Sequence, residues 1–227
     1  MRKSFFKYLD RGQKKTIVLI PGWATDYRIF DSLNLKFNYL VPLNFSPFTC
    51  EEDILKALEE NQIKSFSLLS WSLGGFLAAE FAIKYPDLVD ELILVSIRKK
   101  YRAEDIAITK ELLKKSKKGY LYKFYEQCFY KKESLVWFKK NLLKSYCGDF
   151  DLEYLLRTLE CLGEKKINTQ KLNEVKRIKI IHGEHDRIAP VDEAREIKEA
   201  VSGAELIIIK DSGHSPFLED DLGKYIW

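Results

Sequence analysis

No two cysteines in this chain stand close enough to form a CxxC unit. Cys50, Cys128, Cys147 and Cys161 are scattered, which argues against a disulfide framework and a zinc site and leaves reduced thiols in or near the core. No apolar run approaches the roughly 18 residues that cross a bilayer. The opening Met1-Arg-Lys-Ser-Phe-Phe-Lys-Tyr-Leu-Asp10 has no signal-peptide core, because Lys7 and Asp10 interrupt its short apolar stretch. A cytoplasmic protein with no membrane partner is expected. Repeats and low-complexity segments are also missing. Histidine is scarce: His182, His185 and His214 are the only three, so an imidazole base must be one of them.

What is present fits one globular domain with an insertion. Hydrophobic content is 46% and aromatic content 13% across 227 residues, enough for a full core. Short apolar runs alternate with helical patterns. Strands are expected at 16–20, 37–43, 66–69, 91–96, 178–181 and 206–209, with helices at 51–62, 73–85 and 191–201 and a short terminal helix. This rhythm predicts an α/β fold with a mainly parallel sheet. Residues 98–170 break the rhythm. They lack β-branched runs and carry Lys, Leu, Tyr, Phe and Glu at helical spacing. Three or four helices are expected there, with breaks near Lys118-Gly119, Lys132-Glu133 and Gly148-Asp149. The division is a core of 1–97 and 171–227 with a helical lid at 98–170.

Charge is unevenly spread. Between Arg98 and Cys147 stand fifteen Lys or Arg against five Asp or Glu, a balance of +10, which leaves −6 for the rest of a chain whose total is +4. Such a segment suits a negatively charged partner, or simply solvated helix faces. Lys114, Lys115, Lys117, Lys118, Lys123, Lys131, Lys132, Lys139 and Lys140 are expected to face water or a partner. A nucleic-acid partner is not expected, and a monomer is.

The chemistry concentrates around Ser70-Trp71-Ser72-Leu73-Gly74-Gly75. An apolar run breaks at Ser72 and a helical pattern starts at once, as in a strand–turn–helix that lifts a serine hydroxyl above a sheet edge. Small residues, Ser70 and Gly74, stand two positions either side. Serine needs a base and a group to orient that base. His214, in Asp211-Ser-Gly-His214-Ser-Pro-Phe217, follows the last apolar run and suits the base. Asp186, in the turn after 178–181, suits the orienting acid, with Glu184 as its nearest competitor; His182 and His185 read as structural. An oxyanion needs two donors. The Leu73 amide, first in its helix, is one, and the Trp23 amide in Ile20-Pro21-Gly22-Trp23-Ala24 fits the other.

With Ser, Asp and His in this order, the chain resembles an α/β-hydrolase from Ile17 to Phe217. Gly22-Trp23, Trp71-Ser72-Leu73-Gly74-Gly75 and Gly213-His214-Ser215-Pro216-Phe217 resemble the pimeloyl-[acyl-carrier protein] methyl ester esterases. The resemblance implies Trp23 as second oxyanion donor, Trp23, Trp71 and Phe124 as substrate contacts, and an acidic acyl carrier protein received by Lys123, Lys131, Lys132, Lys139 and Lys140. It implies neither metal nor cofactor. Pro21, Ala24 and Ser70 stand where that family often has histidine, glycine and glycine, and lysines stand where its lid has arginines. Three functions follow: a serine carboxylesterase for a carrier-bound methyl ester, a small-molecule ester, thioester or C–C hydrolase, and a noncatalytic binding protein on the same fold.

Overall fold

The computed structural model describes residues 5–227. Met1–Ser4, part of the segment read for a signal-peptide core, lie outside the described residues. Seven strands form one sheet: β1 (Phe6–Leu9), β2 (Thr16–Ile20), β3 (Asn38–Pro42), β4 (Phe66–Trp71), β5 (Val89–Val95), β6 (Ile178–Gly183) and β7 (Ala204–Ile209). Their order is β1-β3-β2-β4-β5-β6-β7. β1 runs antiparallel to β3, and all other neighbours are parallel. Parallel strands covered on both faces read as unbroken apolar runs. Accordingly Ile17, Val18, Leu19 and Ile20 are fully buried, each contributing about 1.5–3 kcal/mol of hydrophobic stabilisation.

Three helices come from the alternating pattern: α1 (Cys50–Glu60), α2 (Leu73–Lys84) and, late in the chain, α9 (Val191–Ala200). Ile54 and Leu58 of α1 point inward and Leu55 is half-buried, the expected stripe. α2 packs against β4 and β5, and α9 against β6 and β7. Its central place explains why α2 is apolar all round.

Between β5 and β6 the chain leaves the sheet as α3 (Ala103–Lys115), α4 (Lys117–Gln127), α5 (Lys132–Asn141), α6 (Leu143–Asp149), α7 (Leu152–Glu164) and α8 (Thr169–Leu172). The architecture is the α/β-hydrolase fold with a helical insertion after β5. The insertion holds more helices than expected. The first break falls at Ser116, whose hydroxyl accepts from the Gly119 amide and starts α4; Lys118-Gly119 therefore sits inside a helix. An unexpected break at Leu142 separates α5 from α6. Backbone contacts between Lys99–Lys100 and Lys166–Ile167 close the neck, and α8 packs on α2 and α9.

The terminal helix does not form. Two 3-10 turns, Pro216–Leu218 and Leu222–Lys224, stand in its place. Asp221 caps the second by accepting from the Gly223 amide, and buried Lys179 of β6 donates to the Tyr225 carbonyl at 2.5 Å. β1 also lay outside the expected strands. It is a four-residue edge strand with exposed Lys7, too short to display a period-2 pattern.

Candidate active site

β4 ends at Trp71, and Ser72 takes φ 54° and ψ −116° before α2 begins. A β-carbon at such a φ is strained, and hydrogen bonds fix the turn: the Ser72 amide donates to the Val95 carbonyl at 3.0 Å and the Gly75 amide to the Ser72 carbonyl at 2.9 Å. The need for small neighbours is steric. A Cβ on Gly74 would stand 2.6 Å from the Pro21 carbonyl oxygen, and one on Gly22 would stand 2.8 Å from the Trp71 ring. Ser70 is tolerated because its hydroxyl donates to the Ile93 carbonyl at 3.3 Å. Ala24 has φ 57°, the left-handed conformation that favours glycine.

Asp186 and His214 are brought together. His214 Nδ1 lies 2.7 Å from Asp186 Oδ2, and both side chains are fully buried. The other carboxylate oxygen accepts from the Ile188 and Ala189 amides, each at 2.8 Å. Burial alone would push the Asp186 carboxyl up. The charge and hydrogen bond of His214, with the hydrogen bond of His182, outweigh that and hold it well below the usual carboxylate range. His182 Nε2 lies 2.7 Å from the Ala189 carbonyl oxygen and 3.3 Å from Asp186 Oδ2, a structural placement. Glu184 is exposed and faces His185 at 3.6 Å, so the competing carboxylate is not bonded to His214. His214 Nε2 is buried without a partner.

A cavity of about 570 Å³ opens on Ser72. Trp23 and Phe124 line it, their rings edge-on at 5.2 Å. Trp23 is fixed by its indole N–H, which donates to the Leu155 carbonyl at 3.2 Å. Among the described residues neither the Trp23 nor the Leu73 backbone amide has a protein acceptor.

Trp71 is not on the cavity wall. It is buried, donates from Nε1 to the His214 carbonyl at 2.7 Å, and meets Phe217 edge-on. Its indole holds the His214 loop, and it does not line the Ser72 cavity. Of the other lid aromatics, Tyr125 and Phe129 pack against Phe138, and Tyr130 stacks on His185.

The sequence reading missed Tyr101. It is buried on the wall of the cavity that Ser72 also lines, and burial raises its phenol pKa well above the ordinary value. It also missed Glu219. This buried carboxylate accepts from the Tyr130 and Lys131 amides at 2.8 and 2.6 Å, and from the Ser212 hydroxyl and Gly213 amide at 3.0 and 2.5 Å. It ties the α4–α5 linker to the histidine loop. An acid five residues beyond His214 was its only sequence signal.

The expected lysine patch divides. Lys131 donates to the Glu219 carbonyl at 2.7 Å, Lys139 pairs with Glu126 at 2.6 Å, Lys114 pairs with Glu111, and Lys117 donates to the Phe150 carbonyl. These ammonium groups are therefore engaged within the fold. Lys123, Lys132 and Lys140 are exposed and without a partner among the described residues. Glu184, His185 and Asp211 bring possible metal-ligand atoms within 4.8 Å of one another, but they are exposed and off the cavity wall.

Comparison with known proteins agrees with this architecture. The alpha/beta hydrolase fold family matches residues 39–140. An AB hydrolase superfamily protein, YisY of Bacillus subtilis, is 27% identical over 93% of this chain and 89% of its own length. A pimeloyl-[acyl-carrier protein] methyl ester esterase of Nitrosomonas europaea is 26% identical over 91% of each chain. Among solved structures, an esterase from Exiguobacterium antarcticum superposes with a TM-score of 0.80 at 20% identity, covering 94% of this chain and 90% of that one. A hydrolase from Oleispira antarctica gives 0.81 at 14% identity, covering 98% and 93%. The chain has the α/β-hydrolase fold, and its sequence matches that fold family over residues 39–140.

Proposed function

We propose that the protein is a serine carboxylesterase and that its substrate is the methyl ester of an acyl chain borne by an acidic carrier protein. One observation carries the hydrolase reading: His214 is bonded through Nδ1 to an ionised, buried Asp186 and keeps Nε2 unpartnered, while Ser72 is held on a strained turn at the start of α2. In this reading Ser72 Oγ attacks the ester carbonyl carbon as His214 Nε2 takes its proton. The Trp23 and Leu73 amides donate to the tetrahedral oxyanion, assisted by the α2 dipole. The intermediate collapses, His214 returns the proton to the leaving methoxide, and methanol departs. Water, deprotonated by the same nitrogen, then attacks the acyl-enzyme and releases the free acid and Ser72. Asp186 orients His214 and stabilises its imidazolium throughout.

The carrier reading draws on the resemblance to the methyl ester esterases and on α5. That helix exposes Val136 and Trp137 between Lys132 and Lys140, one turn away on either side. An apolar patch flanked by unpaired cations suits an acidic amphipathic helix. A small-molecule ester hydrolase is the second reading, favoured by the internal pairing of Lys131 and Lys139.

Incubation with pimeloyl-carrier methyl ester beside free dimethyl pimelate, with products resolved by mass spectrometry, separates the two. The carrier reading expects faster turnover of the bound ester. It also expects charge reversal of Lys123, Lys132 and Lys140 to raise KM for that ester several-fold, with the effect shrinking as salt rises. Equal effects on both esters would leave the small-molecule reading.

A further inference from the structure

The Ser72 cavity is unusual in its charge. Arg98, Arg102, Arg187 and Asp105 all line it, alongside apolar Trp23, Phe124, Ile106, Leu159 and Leu162. Arg102 and Asp105 neutralise each other through hydrogen bonds of 2.8 and 2.9 Å. Arg98 is ion-paired as well, which leaves Arg187 as the lining arginine whose charge is unmatched among the described residues. Arg98 pairs with Glu193, which is not on the cavity wall, and lies 4.7 Å over the Tyr101 ring. It also reaches the Ile188 carbonyl at 3.5 Å, yet its Nε is buried without an acceptor. Arg187, next to Ile188, is exposed to solvent and has no partner among the described residues. Its loop is anchored, because the Ile188 and Ala189 amides both donate to Asp186. Two guanidinium groups therefore share one stretch of wall, since Arg98 reaches the residue after Arg187, and the Tyr101 ring lies beneath Arg98 on the same wall.

A buried N–H donor without a partner is costly. Guanidinium is weakly hydrated, and its fork matches a carboxylate or phosphate with two parallel hydrogen bonds. We propose that Arg98 and Arg187 form an anion subsite in the Ser72 cavity. The ligands it favours are small esters of an apolar chain that also carries a carboxylate or a phosphate, which deepens the small-molecule reading of the same site. This assignment rests on Ser72 as the nucleophile, and it names the substrate class that the nucleophile serves.

The test separates the two. Calorimetric titration of Ser72→Ala with monomethyl adipate, dimethyl adipate and a methyl ester of matching length ending in phosphate reads the subsite without turnover. The charged esters are expected to bind about tenfold or more tighter than the neutral one, as charge-assisted pairs do. The stronger of the two charged ligands identifies whether carboxylate or phosphate is preferred. Adding Arg187→Gln should collapse the preference, whereas Arg187→Lys should retain part of it. Equal binding of charged and neutral esters, or a preference that survives both Arg187→Gln and Arg98→Gln, overturns the subsite. A preference that holds while Ser72 of the wild type resists serine-directed reagents would keep the subsite and sink the esterase reading.

Discussion

Two carboxylates stand two residues apart after β6, and their surroundings separate them. Asp186 is buried against His214 and held ionised, whereas Glu184 is exposed beside His185. Asp186→Asn is therefore expected to lower kcat by several orders of magnitude, since an amide can neither fix the tautomer nor stabilise the imidazolium. Glu184→Gln should stay within about twofold of wild type, as surface substitutions usually do. Steady-state ester hydrolysis by both variants checks this, and the reverse ranking would move the orienting role to Glu184. The strained turn at Ser72 and the pairing of Asp186 with His214 were legible because each residue sits in a turn directly after an apolar strand, in a recognisable order. Tyr101, Arg98 and Arg187 were not. Their places on the cavity wall come from two separate segments, after β5 and after β6, and no local pattern encodes that meeting.

At the scale of elements, buried strands and their helices could be read and edges could not. β2, β4, β5 and β6 are apolar because both faces are covered, so composition alone marks them. β1 pairs along one edge only, and the chain end is fastened by Asp221 and Lys179 rather than by helical periodicity. The lid breaks at Ser116 and Leu142 follow capping and packing, which glycine-based punctuation does not predict. Glu219 joins two of these elements. Glu219→Ala would strand the Tyr130, Lys131 and Gly213 amides and the Ser212 hydroxyl, at a cost of about 3 kcal/mol, or roughly 6–12 °C in Tm. Loss of His214 placement should appear as a fall in kcat larger than any rise in KM, with partial recovery in Glu219→Gln. Calorimetric unfolding with matched kinetics decides it; a Tm within about a degree of wild type would remove the carboxylate from this role.

The whole molecule sets an acidic core beneath a basic lid, and that asymmetry was visible in the sequence while its distribution was not. Internal pairing takes Lys131 and Lys139 out of the expected carrier patch, which leaves Lys123, Lys132 and Lys140 around an exposed Val136 and Trp137. The sheet brings the ends of β2, β4, β5, β6 and β7 to one side, where the Trp23, Ser72, Tyr101, Asp186 and His214 segments meet. Everything proposed about substrate depends on that meeting being a catalytic one. Reaction of the native protein with a fluorophosphonate, followed by peptide mapping and by hydrolysis of a short p-nitrophenyl ester, tests it most directly. A single covalent adduct on Ser72, with hydrolysis reduced at least a thousandfold in Ser72→Ala, is the predicted result. An adduct elsewhere, or hydrolysis persisting in the alanine variant, would contradict it.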